Sequence, residues 1–271
     1  MSLNRLSDMR QYLTSLKSNP EEISRLFHDL LIPVTDFFRD PEVFEALRTT
    51  VIPEILASKP PGDEIRVWVP GCATGQEAYS IGMLLLDAVE DADHFASVKI
   101  FATDVDESLI STARDGVYLA PSVQKVPEDL RERYFTQSNG SYHIDKRLRE
   151  VVLFAVHDLL RDPPFARLDL VSCRNLLIYL KRSAQERVFN VFHYALQPEG
   201  FLLLGSSESA DSFGELFSRV DKPHRIYKSL PSRSPKLPVD SRTGSSLSDM
   251  TLDASGLAGR QSRAHEADQL H

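Results

Sequence analysis

Short, nearly continuous apolar runs, each ending in small or polar residues, recur through the middle of the chain. They are Ile65–Val69, Val98–Ala102, Val151–Val156, Leu168–Ser172 and Phe201–Leu204. Runs of this kind are typical of parallel strands that are covered on both faces. Segments with apolar residues at helical spacing, Ala78–Val89 and Ser183–Leu196, lie between some of them. This alternation predicts an α/β fold with a doubly wound, mostly parallel sheet in a domain over residues 63–228.

The flanking segments have other patterns. Apolar residues at helical spacing predict a small helical region over residues 1–59. Asn139-Gly140 is a strong hairpin signal, and with Tyr142–Asp145 and Lys146–Arg149 as returning strands it predicts a small antiparallel β insertion at about 136–150. From Ser229 the chain is polar without periodicity, which predicts a disordered tail or linker over residues 229–271.

Composition excludes several classes of function. The 271 residues carry a net charge of −8, so a nucleic-acid partner is not expected. The two cysteines, Cys72 and Cys173, form no C-x-x-C pair, so neither a disulfide framework nor a metal site is predicted. No stretch approaches the roughly 20 apolar residues of a membrane span. A cytoplasmic protein without membrane insertion is the expectation.

A glycine turn follows the first apolar run. Gly71 and Gly75 enclose small residues, and a helical pattern begins at Gln76. A strand, a tight turn and a helix let the backbone approach a nucleotide-like ligand closely. The spacing is not the strict G-x-G-x-x-G, so a cofactor turn and an ordinary strand–helix joint both stay open.

Acidic residues end the second apolar run. Asp104 occupies the position where a nucleoside-binding sheet places a carboxylate for the ribose hydroxyls. A carboxylate can accept hydrogen bonds from both hydroxyls at once. Strand-end aspartates also cap helices, and this is the role expected of Asp106.

Four motifs then occur in one order: Thr35-Asp-Phe-Phe-Arg39, Gly71-Cys-Ala-Thr-Gly-Gln-Glu-Ala-Tyr-Ser80, Ala102-Thr-Asp-Val-Asp106 and Cys173-Arg-Asn-Leu-Leu-Ile-Tyr179. Together they resemble the chemotaxis receptor methyltransferase family (CheR), from about residue 20 to residue 228. The resemblance implies a sheet of the S-adenosylmethionine-dependent methyltransferase type. It also implies methyl transfer from S-adenosylmethionine to receptor glutamates, with S-adenosylhomocysteine as the product.

The resemblance implies a role for each matching position. The turn residues Gly71 and Ala73 form the floor of the cofactor site, and Gln76 and Glu77 match a pair of family glutamates. Glu77 is the better candidate for the cofactor's amino group, because Gln76 has no charge. The other implied contacts are Thr35 and Arg39 at the methionine end, Asp104 at the ribose, Asp158 and Leu159 at the adenine, and Asn175 and Leu176 near the reacting end.

Two residues are candidates for steering the substrate carboxylate, namely Arg174 and Tyr179. The alternative is that both stabilise the loop around Asn175. Pro33 departs from the asparagine frequent in the family. The implied partners are the cytoplasmic helices of methyl-accepting chemoreceptors and, in a hybrid protein, other modules of the same chain.

Two other functions remain to be weighed. A nicotinamide-dependent oxidoreductase would need a true G-x-G-x-x-G and a proton donor, for which His157 is the obvious residue. A catalytically weak S-adenosylmethionine-sensing module of a hybrid signalling protein is favoured by Gln76 and Pro33.

Overall fold

The computed structural model describes Asn19 and residues 35–92 and 96–231. The helices predicted before residue 35, Pro33 and the tail from residue 232 onward lie outside these ranges. The strands are β1 (Glu64–Pro70), β2 (Ser97–Asp104), β3 (Val117–Leu119), β4 (Phe135–Ser138), β5 (Ser141–Ile144), β6 (Val152–Val156), β7 (Leu168–Cys173), β8 (Leu196–Leu204), β9 (Phe217–Asp221) and β10 (Ile226–Ser229).

The helices flank these strands in sequence. They are α1 (Pro41–Ala46), α2 (Ile52–Ser58), α3 (Gln76–Asp91), α4 (Glu107–Asp115), α5 (Ala120–Val123), α6 (Glu128–Tyr134), α7 (Lys146–Val151) and α8 (Arg182–Ala195). A π-helix, Leu47–Val51, joins α1 to α2, and 3-10 turns cover Leu177–Tyr179 and Asp211–Phe213. No helix within the described ranges has both the length and the apolar character needed to cross a membrane.

Seven strands form the main sheet, in the order β6-β2-β1-β7-β8-β10-β9. The pairs from β6 to β8 are parallel, and β10 pairs antiparallel with both β8 and β9. The predicted α/β fold with a mostly parallel, doubly wound sheet is therefore confirmed. Ser229, predicted to begin the tail, is instead the last residue of β10.

Both faces of the sheet are covered by apolar cores, which explains the continuous apolar runs. Side chains of consecutive strand residues point to opposite faces. Accordingly Val67 packs in one core cluster and Trp68 in the other, and Leu170 and Val171 of β7 divide in the same way. Every residue of β7 is buried.

A second, three-stranded antiparallel sheet has the order β3-β5-β4. Its hairpin turns at Asn139 and Gly140, both with positive φ, as the sequence predicts. The prediction that Lys146–Arg149 forms a returning strand is wrong, because these residues begin helix α7. The side chain of Asp145 accepts a hydrogen bond from the backbone N–H of Arg147 and caps that helix. The sheet also includes β3, which the sequence pattern does not reveal.

The strand order of the main sheet reverses its direction at one point. From β1 the chain continues to β2 and β6 on one side, and afterwards to β7 and β8 on the other. Connections therefore diverge between the adjacent strands β1 and β7, and open α/β sheets bind ligands outside the carboxyl ends of the strands at such a point. The motifs at Gly71, Asp104 and Arg174 all follow the carboxyl ends of these central strands.

Candidate cofactor site

The glycine turn after β1 is tightly wound. Gly71, Ala73 and Gly75 have φ values of 68°, 48° and 92°, in the left-handed region. A Cβ atom at Gly75 would lie 3.0 Å from the Cβ of Ala113 and from the ring of Phe154. Glycine is thus required at position 75 both by the backbone conformation and by the lack of space.

Asp104 is held against this turn. Its Oδ2 accepts a hydrogen bond of 2.9 Å from the N–H of Ala73, and its Oδ1 accepts one of 3.1 Å from the N–H of Asp106. Burial raises the pKa of Asp104, and these backbone donors partly oppose the rise. The N–H of Val105 is a third backbone donor to this carboxylate. A carboxylate has about four acceptor positions, so capacity remains for a further donor such as a ribose hydroxyl. Asp106 caps α4 by accepting from the N–H groups of Ser108 and Leu109, which confirms its predicted role.

The segment with Thr35 and Arg39 lies beside helix α3. The N–H of Phe38 donates a 3.0 Å hydrogen bond to Oγ of Ser80, one turn into that helix. Phe37 is fully buried, with its ring edge-on to Tyr118 at 4.9 Å. Thr35 and Arg39 are half-buried. The two phenylalanines therefore anchor the segment, while the residues on either side of them remain partly accessible.

Arg174 connects this segment to the sheet and to α3. Its Nη1 donates to Oε2 of Glu77 at 3.1 Å, and its Nη2 donates to the carbonyl of Arg39 at 3.0 Å and to Oδ2 of Asp40 at 2.5 Å. The guanidinium side chain is 1% exposed. These contacts match the alternative in which Arg174 stabilises the site.

Glu77 is a mostly buried member of the same network, with 16% of its side chain exposed. Its Oε1 accepts a 2.7 Å hydrogen bond from Oγ of Ser172. Burial raises the pKa of Glu77, against the lowering effects of Arg174 and Ser172. The neighbouring Gln76 turns elsewhere, since its Oε1 accepts from Oγ1 of Thr74 at 2.8 Å. The two residues of the predicted pair therefore make different contacts: Gln76 supports the glycine turn, and Glu77 faces the end of β7.

The loop after β7 closes over the glycine turn. Asn175 is left-handed, with φ 60°. A Cβ atom at Gly71 would lie 3.1 Å from Cδ2 of Leu176, so this leucine covers the turn closely. Tyr179 and Ile178 are 40% and 46% exposed at the surface of the loop. An exposed tyrosine here can face a substrate.

Sequence reasoning missed Glu208, which is 4% exposed beneath this loop. Its Oε2 accepts from the N–H groups of Gly205 and Asn175 at 2.7 and 3.0 Å, and its Oε1 accepts from that of Leu177 at 2.7 Å. The only signal in the sequence is the polar cluster that follows Phe201–Leu204. Nothing in that cluster predicts contact with residues about thirty positions earlier.

Asp158 and Leu159 follow β6. The N–H of the preceding His157 donates to the carbonyl of Asp104 at 2.9 Å, which keeps the two strand ends together. Asp158 closes a local turn by accepting from the N–H of Leu160 at 2.9 Å, and Leu159 is half-buried against the core. The imidazole Nε2 of His157 lies 3.1 Å from the carbonyl of Pro163 and must donate to it, which does not suit the proton donor of an oxidoreductase.

The arrangement fits S-adenosylmethionine. Asp104 retains acceptor capacity for ribose hydroxyls, and the buried Nε of Arg174 is a donor without a hydrogen-bond partner among the described residues. Val105 and Val156, at the ends of β2 and β6, are 49% and 51% exposed and could cover an aromatic base. An acidic ribose acceptor, an apolar base platform and a turn of small residues are the parts that such a ligand needs.

Fold and site together define a Rossmann-like protein with a candidate nucleoside-cofactor site at the carboxyl edge of its sheet. Residues 33–226 match the family model described as CheR methyltransferase, SAM binding domain. The chain belongs to this family, and its cofactor is S-adenosylmethionine.

The matches to relatives cover different shares of those proteins. Chemotaxis protein methyltransferase 2 of Vibrio cholerae is 31% identical over 239 residues, which are 84% of this chain and 81% of that protein. An uncharacterized 104.1 kDa protein of the hypE 3' region of Rhodobacter capsulatus is 42% identical over 245 residues. That match covers 90% of this chain and only 26% of the relative. Among solved structures, a TehB-like SAM-dependent methyltransferase from Corynebacterium glutamicum is similar with a TM-score of 0.38 and 14% identity, over 78% of this chain and 97% of that one.

Proposed function

We propose that the protein transfers the methyl group of S-adenosylmethionine to glutamate side chains of chemoreceptors. The observation that carries this proposal is that the titratable groups of the site already serve structural hydrogen bonds. Glu77 accepts from Arg174 and Ser172, and Asp104 accepts from backbone N–H groups. His157 donates through Nε2, and its Nδ1 is buried without a hydrogen-bond partner among the described residues, so it is not open to a substrate. Such a site suits a nucleophile that needs no general base. A glutamate, with a pKa near ~4.3, is already ionised at neutral pH.

The chain's own residues then act by binding and alignment. When bound, S-adenosylmethionine supplies an electrophilic methyl group, which an ionised glutamate takes in a single displacement that leaves S-adenosylhomocysteine. Asp104 would hold the ribose, and Thr35 and Arg39 would hold the methionine end. Alignment of two reactants can contribute ~7–11 kcal/mol to lowering the barrier.

Arg174 and Tyr179 have separate roles in this proposal. Because the terminal nitrogens of Arg174 bind Glu77, Asp40 and the carbonyl of Arg39, this residue would keep the cofactor-binding segments in register. Tyr179 is exposed and would be the residue that meets the substrate carboxylate. Asp158 and Leu159 would flank the adenine, and Asn175 and Leu176 would border the reacting methyl group.

The proposed partners are the cytoplasmic helices of methyl-accepting receptors, with reaction in the cytoplasm. The name of the Vibrio cholerae relative supports a role in chemotaxis. The much greater length of the Rhodobacter capsulatus relative supports the idea that a domain of this type also works joined to other modules.

The test is to incubate the protein with S-adenosylmethionine labelled in the methyl group and with receptor cytoplasmic fragments. Carboxyl methyl esters hydrolyse in base, so the proposal expects label on the receptor that alkali releases as methanol. Base-stable label would contradict a carboxylate acceptor. Tight cofactor binding without any transfer would instead favour the sensing module.

A further inference from the structure

Glu208 is a buried carboxylate whose hydrogen-bonding capacity is filled by the backbone. The N–H groups of Gly205, Asn175, Leu177 and Ile178 all donate to it. Four donors equal the roughly four acceptor positions of a carboxylate, so no capacity is left for a ligand. Glu208 is therefore suited to hold other groups in place and not to bind cofactor or substrate itself.

The donors belong to a loop with an unusual backbone. The backbone of Asn175 is in the left-handed region. Leu176 follows in the right-handed helical region, with φ −107° and ψ −44°. Successive residues of opposite hand turn their N–H groups towards one concavity that binds an anion. In this protein the anion is a side chain of the same chain. Residues other than glycine adopt the left-handed conformation rarely, although asparagine does so more readily than most, and other contacts help to maintain it.

We propose that Glu208 is a positioning residue that fixes the Asn175–Leu176 pair in its cofactor-binding conformation. The inference rests on the proposed role of this pair. The link to the cofactor turn is direct, because Leu176 packs over Gly71 within the space that a Cβ atom there would need. Loss of the Glu208 carboxylate would release the loop from the turn and weaken cofactor binding.

Gly205 gives an independent way to disturb the same contact. A Cβ atom at this position would lie 2.7 Å from Oε2 of Glu208 and 2.9 Å from the backbone nitrogen of Asn175. Gly205→Ala therefore displaces the carboxylate from the loop while all donors and the charge remain. Its effect on binding should resemble that of Glu208→Gln, which keeps the shape and removes the charge.

Asp169 supplies a matched control, because it lies on β7, the strand that precedes the loop. It lies near the amino end of β7, is 6% exposed, and accepts from the backbone N–H of Arg66 and from Lys59, each at 2.9 Å. Asp169→Asn also removes a buried charge, but at the edge of the sheet opposite the cofactor turn. It should lower thermal stability without changing cofactor affinity.

The experiment is calorimetric titration of the folded proteins with S-adenosylhomocysteine, well below each melting temperature. Glu208→Gln and Gly205→Ala should each weaken binding about tenfold or more, as expected when charge-assisted hydrogen bonds are lost. Asp169→Asn should bind like the wild type. If Glu208→Gln retains wild-type affinity, or if Asp169→Asn loses as much, the positioning role is overturned. A wild type that does not bind S-adenosylhomocysteine would overturn the proposed site as a whole.

Discussion

At the scale of single residues, Asp104 combines a half-buried position with unused hydrogen-bonding capacity. The N–H groups of Ala73 and Asp106 fix the direction of its carboxylate. Because its orientation is set before a ligand arrives, binding would cost little further ordering. Ribose recognition by Asp104 remains a prediction, and its contacts to the turn are consistent with it.

Replacing Asp104 with alanine should weaken binding of S-adenosylhomocysteine by about tenfold to a hundredfold, since buried hydroxyl donors would lose a charged acceptor. The wild-type affinity should also depend on pH. The ionised carboxylate is the acceptor, so affinity is lost as the pH falls through the pKa of Asp104. Burial raises this pKa, so the loss begins at a higher pH than it would for an exposed aspartate. Calorimetry over a pH series checks both effects, and unchanged affinity of Asp104→Ala would remove the ribose role.

Arg174 offers a test between stabilising the site and steering a substrate. Arg174→Met leaves Glu77 buried without its cation, which typically costs about 3–5 kcal/mol of unfolding free energy. The double variant Arg174→Met/Glu77→Gln should recover part of this loss, because the carboxylate that lost its cation is neutralised as well. Urea unfolding measures both. Wild-type stability of Arg174→Met, combined with lost transferase activity, would instead assign the arginine to the substrate.

The pH dependence of this deficit has a definite sign. A carboxyl whose pKa is raised in the folded state binds protons more tightly there than in the unfolded chain, so its contribution to stability falls as pH rises. The pKa of Glu77 is already raised by burial, and loss of Arg174 would raise it further. The deficit of Arg174→Met should therefore shrink as the pH is lowered through that pKa.

At this scale the sequence indicates residue types at strand ends but not their partners. The motif around Arg174 and Asn175 is visible in the chain. The contact between Arg174 and Asp40 joins residues 134 positions apart, and that between Glu208 and Asn175 joins residues 33 apart. Such pairings depend on strand order, which the local pattern does not contain.

At the scale of elements, the glycine turn and its helix follow the prediction because the steric requirements are local. The small antiparallel sheet was less predictable. The hairpin signal at Asn139-Gly140 predicts a returning strand at Lys146–Arg149, but the cap from Asp145 and the burial of Leu148 stabilise a helix instead. Strand β3 is only three residues long and pairs with a hairpin formed later in the chain.

Gly75 and Gly62 form a matched pair for testing the turn. Their φ values are 92° and 91°, but an added Cβ atom would meet neighbours within 4 Å at Gly75 and none at Gly62. Gly62→Ala should cost about 1–2 kcal/mol through backbone strain. Gly75→Ala should cost about 2–4 kcal/mol, because overpacking adds to the strain. Equal losses in chemical denaturation would show that the close packing of the turn has no influence on stability.

At the scale of the molecule, the two edges of the main sheet differ in function: one holds the candidate cofactor site and the other a structural ion pair. The carboxyl edge holds Asp104, Glu77, Arg174 and the loop fixed by Glu208. The amino edge holds the buried pair of Lys59 and Asp169, whose atoms are 2.9 Å apart. The fold class follows from the apolar runs alone, and the cofactor follows from the family. The methyl acceptor follows neither from the apolar runs nor from the family. A site that acts by aligning its reactants has few residues whose chemistry identifies the substrate.

Site mapping by mass spectrometry tests directly whether the protein methylates receptor glutamates. A receptor cytoplasmic fragment would be incubated with the protein and with S-adenosylmethionine that carries a trideuteromethyl group, alongside the Asp104→Ala variant. If the protein methylates receptor glutamates, trideuteromethyl esters should appear on those glutamates, be removed by alkali and be strongly reduced with the variant. Label confined to other residue types, or no label on a receptor fragment despite bound cofactor, would contradict it.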